Sequence, residues 1–264
     1  MKVENKKADK PKEVNQILQE QIKAGLKEFR RADKSLFISS FGAGLEIGFS
    51  IMFMGTLFTL LGEQLNGSQM NIILALCYPV GFIFVIIGRS ELFTEHTALA
   101  ILPVMDGKAS IKQLLKLWGI VYSGNLIGGF VFSYIITLVG TKVGFIDLNT
   151  FYHLAHKIAD YEWHIILFSG IMAGWMMGLL GWLVTSSQET ISRIFMIIII
   201  TFIIGLAGLH HCIVGSIEVF AGLIVSPKII VADYLRFQIS ATVGNAIGGA
   251  IFVSVLKYSH GRNF

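Results

Sequence analysis

The sequence predicts an all-α membrane protein whose six transmembrane helices form two inverted three-helix repeats, with the second and fifth helices broken. Three observations carry that prediction. The 264 residues are 54% hydrophobic and only 14% charged, whereas a soluble domain carries about 25% charged residues, so much of this chain must face hydrocarbon. Six apolar stretches, 37–61, 71–105, 113–140, 163–185, 193–225 and 234–257, reach the roughly 20 residues that a spanning helix needs. Finally, Gly124-Asn125-Leu126-Ile127-Gly128-Gly129 in the third stretch returns as Gly244-Asn245-Ala246-Ile247-Gly248-Gly249 in the sixth, an offset of 245 − 125 = 120.

Taken in order, residues 1–36 form a charged tail followed by an amphipathic helix. Val14, Ile17, Leu18, Ile22, Leu26 and Phe29 recur at helical spacing between Lys23, Lys27, Glu28, Arg30 and Arg31. Such a helix lies on an anionic lipid surface or packs on the protein's own loops, and the two readings are compatible. The six-helix domain occupies 37–258 and a short tail, 259–264, ends the chain. No cleavable leader is expected from so polar a beginning.

The second and fifth stretches are too long for one simple span, and each has polar residues in its middle. The second contains Arg89-Ser90-Glu91 and Glu95-His96; the fifth contains His210-His211 and then Glu218. At the offset of 120, Gly88 pairs with Gly208 and Glu91 with His211. A half with three spans reverses direction in the bilayer, so the halves are inverted. Paired discontinuous helices point to a pathway at the midplane. The glycines of the repeated pattern let helices touch, and Asn125 and Asn245 hold the backbone groups that a helix break frees in lipid.

Ten of the 21 Lys and Arg residues precede residue 37, and Lys108, Lys112, Lys116, Lys257 and Arg262 lie on the same side. The positive-inside rule then places both termini in the cytoplasm of a multi-pass protein of the cell (inner or plasma) membrane. The net charge of +4 follows from this topology rather than from nucleic-acid binding. Cys77 and Cys212 sit in apolar stretches and are expected to be free thiols. No nucleophile–base pair, phosphate loop or metal-ligand spacing is present, so neither an enzyme nor a cofactor or metal site is expected.

Glu91-Leu92-Phe93-Thr94, the two GN-x-I-G-G segments, Tyr122 ahead of Gly124-Asn125, and Gly208-x-His210-His211 resemble the formate/nitrite transporter family over nearly the whole chain. The resemblance implies an aquaporin-like protomer, a homopentamer in the lipid bilayer, and one pore per protomer for a small monovalent anion or its acid. It implies that His211 is the central pore histidine with Thr94 facing it, and that Arg193 stands at the vestibule. Tyr78 and Phe82 correspond to a cytoplasm-side apolar constriction, Ile204 to the opposite one, and Asn125 and Asn245 to the asparagines at the breaks.

The chain also departs from that pattern. His210 replaces an acidic residue, Gly215 and Gly174 replace asparagines, and Glu95, His96 and Glu46 add ionisable groups. His210 either faces the lumen or makes a structural hydrogen bond. Glu91 is expected to cap free N–H groups at the first break. Glu95 and His96 pair with each other or place a carboxylate in the pore, and Glu46 pairs with a lumen histidine or with Arg89. A charged glutamate in the lumen opposes anions. These departures leave open a pathway for a neutral solute or a cation, and a non-conducting scaffold or regulatory relative.

Overall fold

A computed structural model describes residues 10–261. The first nine residues of the expected charged tail, and the last three of the expected carboxy-terminal tail, lie outside the described residues. Among those described, every regular element is helical.

Helix α1 (Val14–Phe29) precedes α2 (Asp33–Leu61), α3 (Gly67–Cys77), α4 (Pro79–Gly88), α5 (Phe93–Leu99), α6 (Ile101–Met105) and α7 (Ile111–Val143). There follow α8 (Leu148–Ala159), α9 (Trp163–Ser186), α10 (Thr190–Leu206), α11 (Cys212–Val225) and α12 (Val231–Ile247), which runs through a π-helical stretch (Gly248–Val255) into α13 (Leu256–Gly261). Five segments are long and apolar enough to cross a membrane: Asp33–Leu61, Gly67–Gly88, Ile111–Val143, Trp163–Ser186 and Val231–Gly261. Helices α10 and α11 are apolar but shorter. Large apolar side chains such as Ile38, Leu60, Phe84, Tyr134, Phe168, Phe195 and Ile239 are exposed on these helices, as a hydrocarbon solvent requires.

Local sequence sets several boundaries. Asn66 with Gln69, and Ser110 with Gln113, form reciprocal capping boxes that start α3 and α7. Tyr78 stays helical, so α4 continues from α3 across Pro79. Proline has no N–H to give, and Ser50 of α2 spans the gap: its hydroxyl donates to the Tyr78 carbonyl and accepts the Gly81 N–H, both at 2.8 Å.

The two closest helix crossings are built alike. Where α2 meets α7, a Cβ on Gly44 would stand 2.2 Å from the Asn125 carbonyl oxygen, and one on Gly128 would stand 2.1 Å from that of Phe41. Where α9 meets α12, a Cβ on Gly174 would stand 2.2 Å from the Asn245 carbonyl oxygen, and one on Gly248 would stand 2.0 Å from that of Ile171. Backbones touch at both crossings, as small residues permit. This also explains Gly174, read from sequence as a departure: Asn245 occupies the space a side chain would need.

Helix α1 does not stand apart from the body. Ile17, Leu18 and Ile22 are buried against Leu102, Trp182 and Tyr258, and the Asn15 amide donates to the Gly261 carbonyl at 3.0 Å. The apolar stripe therefore packs on the protein itself. The beginning and end of the described chain meet at this end of the molecule, and α8 covers α11 and α12 elsewhere.

Candidate functional site

Two helix interruptions meet inside the fold. The first is 89–92, between α4 and α5; the second is 207–211, between α10 and α11. Arg89 enters the first in a left-handed conformation (φ 65°), and Gly208 enters the second at φ 63°. Each interruption is held by one buried asparagine. The Asn125 Oδ1 accepts the Phe93 N–H at 2.8 Å, and its Nδ2 donates to the carbonyls of Glu91 and Ser40, each at 2.8 Å. The Asn245 Oδ1 accepts the Cys212 N–H at 2.8 Å, and its Nδ2 donates to the carbonyls of His210 (2.9 Å) and Gly170 (2.8 Å).

These bonds shift the expected pairing of the halves by one residue. Glu91 corresponds to His210, Phe93 to Cys212 and Arg89 to Gly208, an offset of 212 − 93 = 119 at the breaks. Aligning glycine with glycine had paired Gly88 with Gly208. The left-handed position of the first break belongs instead to an arginine, a conformation that favours glycine and that surrounding structure must hold in place.

His211 and Thr94 face each other across the two breaks, the His211 Nε2 standing 2.8 Å from the Thr94 Oγ1. Thr94 is fully buried and His211 is 1% exposed. The other ring nitrogen, Nδ1, accepts the Val214 N–H at 3.3 Å and so caps α11. A neutral imidazole has one donor and one acceptor nitrogen. With Nδ1 accepting, the proton sits on Nε2 and is donated to Thr94. The edge of the Phe82 ring meets His211 at 5.3 Å between centroids, and Tyr78 stacks on Phe82 at 5.5 Å.

A cavity of about 40 Å³ adjoins His211 on the α8 side, lined by Tyr78, Lys157, Ile204, His210, Glu218 and Phe237 among others. Tyr78 and Ile204 therefore line one cavity rather than standing at opposite ends of the path; the course of the chain through Pro79 brings Tyr78 against Gly205, beside Ile204. His210 also lines this cavity. Its ring is tied down, with Nδ1 2.8 Å from the Ser169 hydroxyl and Nε2 3.0 Å from the Ile158 carbonyl. Gly215 departs from the expected asparagine because Phe237 fills its place: a Cβ there would stand 2.1 Å from that ring.

A larger cavity, about 610 Å³, opens on the α1 side. Lys27, Arg31 and Arg89 line it together with Glu28, Glu91 and Glu95. Three cations thus face three carboxyl groups. Arg31 bridges Glu28 (2.7 Å) and Glu91, whose second oxygen lies 2.6 Å from the His96 Nε2. The expected capping by the Glu91 carboxylate does not occur: that carboxylate goes to Arg31 and His96, and it is Asn125 that accepts the Phe93 N–H. His96 pairs with Glu91 rather than with Glu95, and Glu95 faces the vestibule. Glu46 pairs with neither a histidine nor Arg89, and its Oε2 is buried without a partner. Arg193 hydrogen-bonds the Ser187 carbonyl through two guanidinium nitrogens at 3.2 Å, two residues past Thr185 of the vestibule wall. Cys77 and Cys212 are buried and free.

Sequence reasoning missed the vestibule charges of α1, because Lys27, Glu28 and Arg31 read simply as the polar face of a surface helix. It also left Lys157 and Glu218 out of the site. Glu218, a carboxylate inside an apolar stretch, was the available signal.

Apolar spanning helices, two interruptions that meet at a buried histidine–threonine pair, one cavity against His211 and a second at the first interruption point to the class: a multi-pass membrane channel or transporter. Residues 15–259 match the family model described as Formate/nitrite transporter, and the chain belongs to that family. It is 28% identical to the inner membrane protein YfdC of Escherichia coli K12, covering 90% of this chain and 76% of that protein. It is 24% identical to the formate channel FocA of the same organism, over 88% of each. Among solved structures, an FNT family ion channel superimposes with a TM-score of 0.79 at 21% identity, covering 94% of this chain and 99% of the other. A pentameric formate channel with formate bound gives 0.73 at 20% identity, covering 86% and 97%.

Proposed function

We propose that the chain is a non-enzymatic channel or transporter for a small monovalent weak-acid species of the formate or nitrite kind, working as a homopentamer in the cell membrane. In this reading residues 37–258 form an aquaporin-like protomer of two inverted three-helix repeats with broken second and fifth helices, both termini are cytoplasmic, and one pathway runs through each protomer. The vestibule beside α1 leads past Thr94 and His211 to the constriction of Tyr78, Phe82 and Ile204 and the cavity beneath α8. The observation that carries the reading is the His211–Thr94 contact at the meeting of two helix interruptions, with one cavity against His211 and another at the first interruption, lined by Glu91 and Glu95.

The physics favours a solute that sheds its charge. Carrying a bare anion through an apolar constriction costs several kcal/mol, even after relaxation, that its neutral acid avoids. The Nε2–H of His211 can be offered to a carboxylate or nitrite oxygen in place of Thr94, which orients the solute at the narrowest point. Arg193, beside the vestibule wall, together with Lys27 and Arg31, raises the local anion concentration. The carboxyl groups of Glu91 and Glu95 moderate that attraction, which suits passage of a weak acid better than of a strongly held anion.

His211→Ala and Thr94→Val each remove one hydrogen-bonding partner at this point. Each is expected to lower formate and nitrite flux in proteoliposomes about tenfold, the equivalent of roughly 1.4 kcal/mol and of one hydrogen bond. Flux equal to the parent's in both variants would contradict the assigned role.

A further inference from the structure

The cavity beneath α8 holds a carboxyl group that the pathway described above does not use. Glu218, on α11, is 5% exposed, lines the cavity and makes no hydrogen bond among the described residues. The other groups there are occupied. His211 caps α11 through Nδ1 and meets Thr94 through Nε2. Adding a proton to its Nδ1 would set a donor against the Val214 N–H, so the ring is poorly placed to exchange protons. His210 is held by Ser169 and the Ile158 carbonyl.

The remaining surroundings of Glu218 are few. Lys157 of α8 stands at the cavity wall, donating to the Asn71 side chain at 2.8 Å. Tyr234 of α12 is turned to Ser216, at 2.9 Å. Tyr78 lines the cavity, but a phenol ordinarily titrates near pH 10. Met54 of α2 and Ser133 of α7, which bonds the Ile217 carbonyl, bring no titratable group. A carboxyl that faces a cavity with no hydrogen-bond partner is free to exchange a proton with a solute or water held there.

We propose that Glu218 is the proton donor and acceptor of this pathway, so that the species crossing the constriction is the neutral acid. The proposal rests on the transport reading above and names the form transported. Lys157 draws the anion to the cavity mouth. The O–H bond of the Glu218 carboxyl breaks as a new O–H bond forms on the solute, giving the neutral acid and a Glu218 carboxylate. Water on the Lys157 side then returns the proton, and transport in the other direction reverses the steps. The cavity exceeds the 10–15 Å³ that one water needs, leaving room for a formate-sized solute beside Glu218.

The test uses the full-length protein in liposomes holding a pH dye, with the potential set by potassium and valinomycin. The parent should take up formate with one proton each, indifferent to the imposed potential, and faster as the external pH falls from 7 to 5. Glu218→Gln should cut that acid-stimulated uptake tenfold or more and flatten its pH profile, while Glu218→Asp should keep the profile. A Glu218→Gln variant with the parent's profile, whatever its absolute flux, overturns the proposal. Parent uptake that follows the imposed potential overturns it without any variant. Parent liposomes that move no formate, nitrite or acetate overturn the transport reading itself, a distinguishable failure.

Discussion

Asn245→Leu is expected to lower the apparent melting temperature of the detergent-solubilised protein by about 10 °C, or to prevent its isolation. The leucine keeps the approximate volume but strands the Cys212 N–H and the carbonyls of Gly170 and His210, all of which Asn245 satisfies at 2.8–2.9 Å in a fully buried site. Each buried group left unpaired costs about 1–3 kcal/mol. Three of them sum to about 3 kcal/mol or more, against a total stability of about 5–15 kcal/mol. For a chain of this size each kcal/mol moves the midpoint by about 2–4 °C. Asn125→Leu strands the equivalent groups, the Phe93 N–H and the carbonyls of Glu91 and Ser40, and serves as an independent repeat. Midpoint shifts of only a degree or two would mean that the interruptions hold themselves.

Gly248→Val should be equally damaging, through packing rather than hydrogen bonding. The added Cβ would fall 2.0 Å from the Ile171 carbonyl oxygen and 2.7 Å from the Trp175 nitrogen. Both are backbone atoms of α9, so no side-chain rotation relieves the clash and the helices must separate. The expected outcome is loss of the monodisperse species in size-exclusion chromatography. Gly119→Ala is the matched control, since nothing stands within 4 Å of its Cβ position. In a helix interior alanine is favoured over glycine by about 0.5–1 kcal/mol, so that variant should melt no lower than the parent. A well-behaved Gly248→Val protein would show that the α9–α12 contact is looser than described.

Both predictions come from features the sequence displayed openly. GN-x-I-G-G is legible because its two roles, close approach and amide capping, each demand a specific residue type. The tertiary partners were not legible. Nothing in the second stretch marks Arg89, rather than Gly88, as the left-handed residue, because the strain is absorbed by surroundings that only folding brings together. Glu91 faces Arg31 because α1 folds back over the first interruption, a contact across 60 residues. Tyr78 and Ile204 line the same cavity because α3 and α10 lie side by side. Periodicity and spacing describe one helix at a time, and the chemistry of this site is set where helices distant in sequence meet.

In the proposed pathway solute passes the narrow region beside His211, so filling that region should stop it. Ile204 is fully buried and lines the cavity of about 40 Å³. A tryptophan there would project into the cavity, at a packing cost of about 1–3 kcal/mol that leaves the protein folded. Formate uptake should be measured by rapid mixing in liposomes containing equal amounts of parent and Ile204→Trp protein. The parent should take up formate well above empty liposomes, and the variant should fall to their level. Uptake by the Ile204→Trp protein at the parent's rate would contradict the proposed pathway and place it elsewhere.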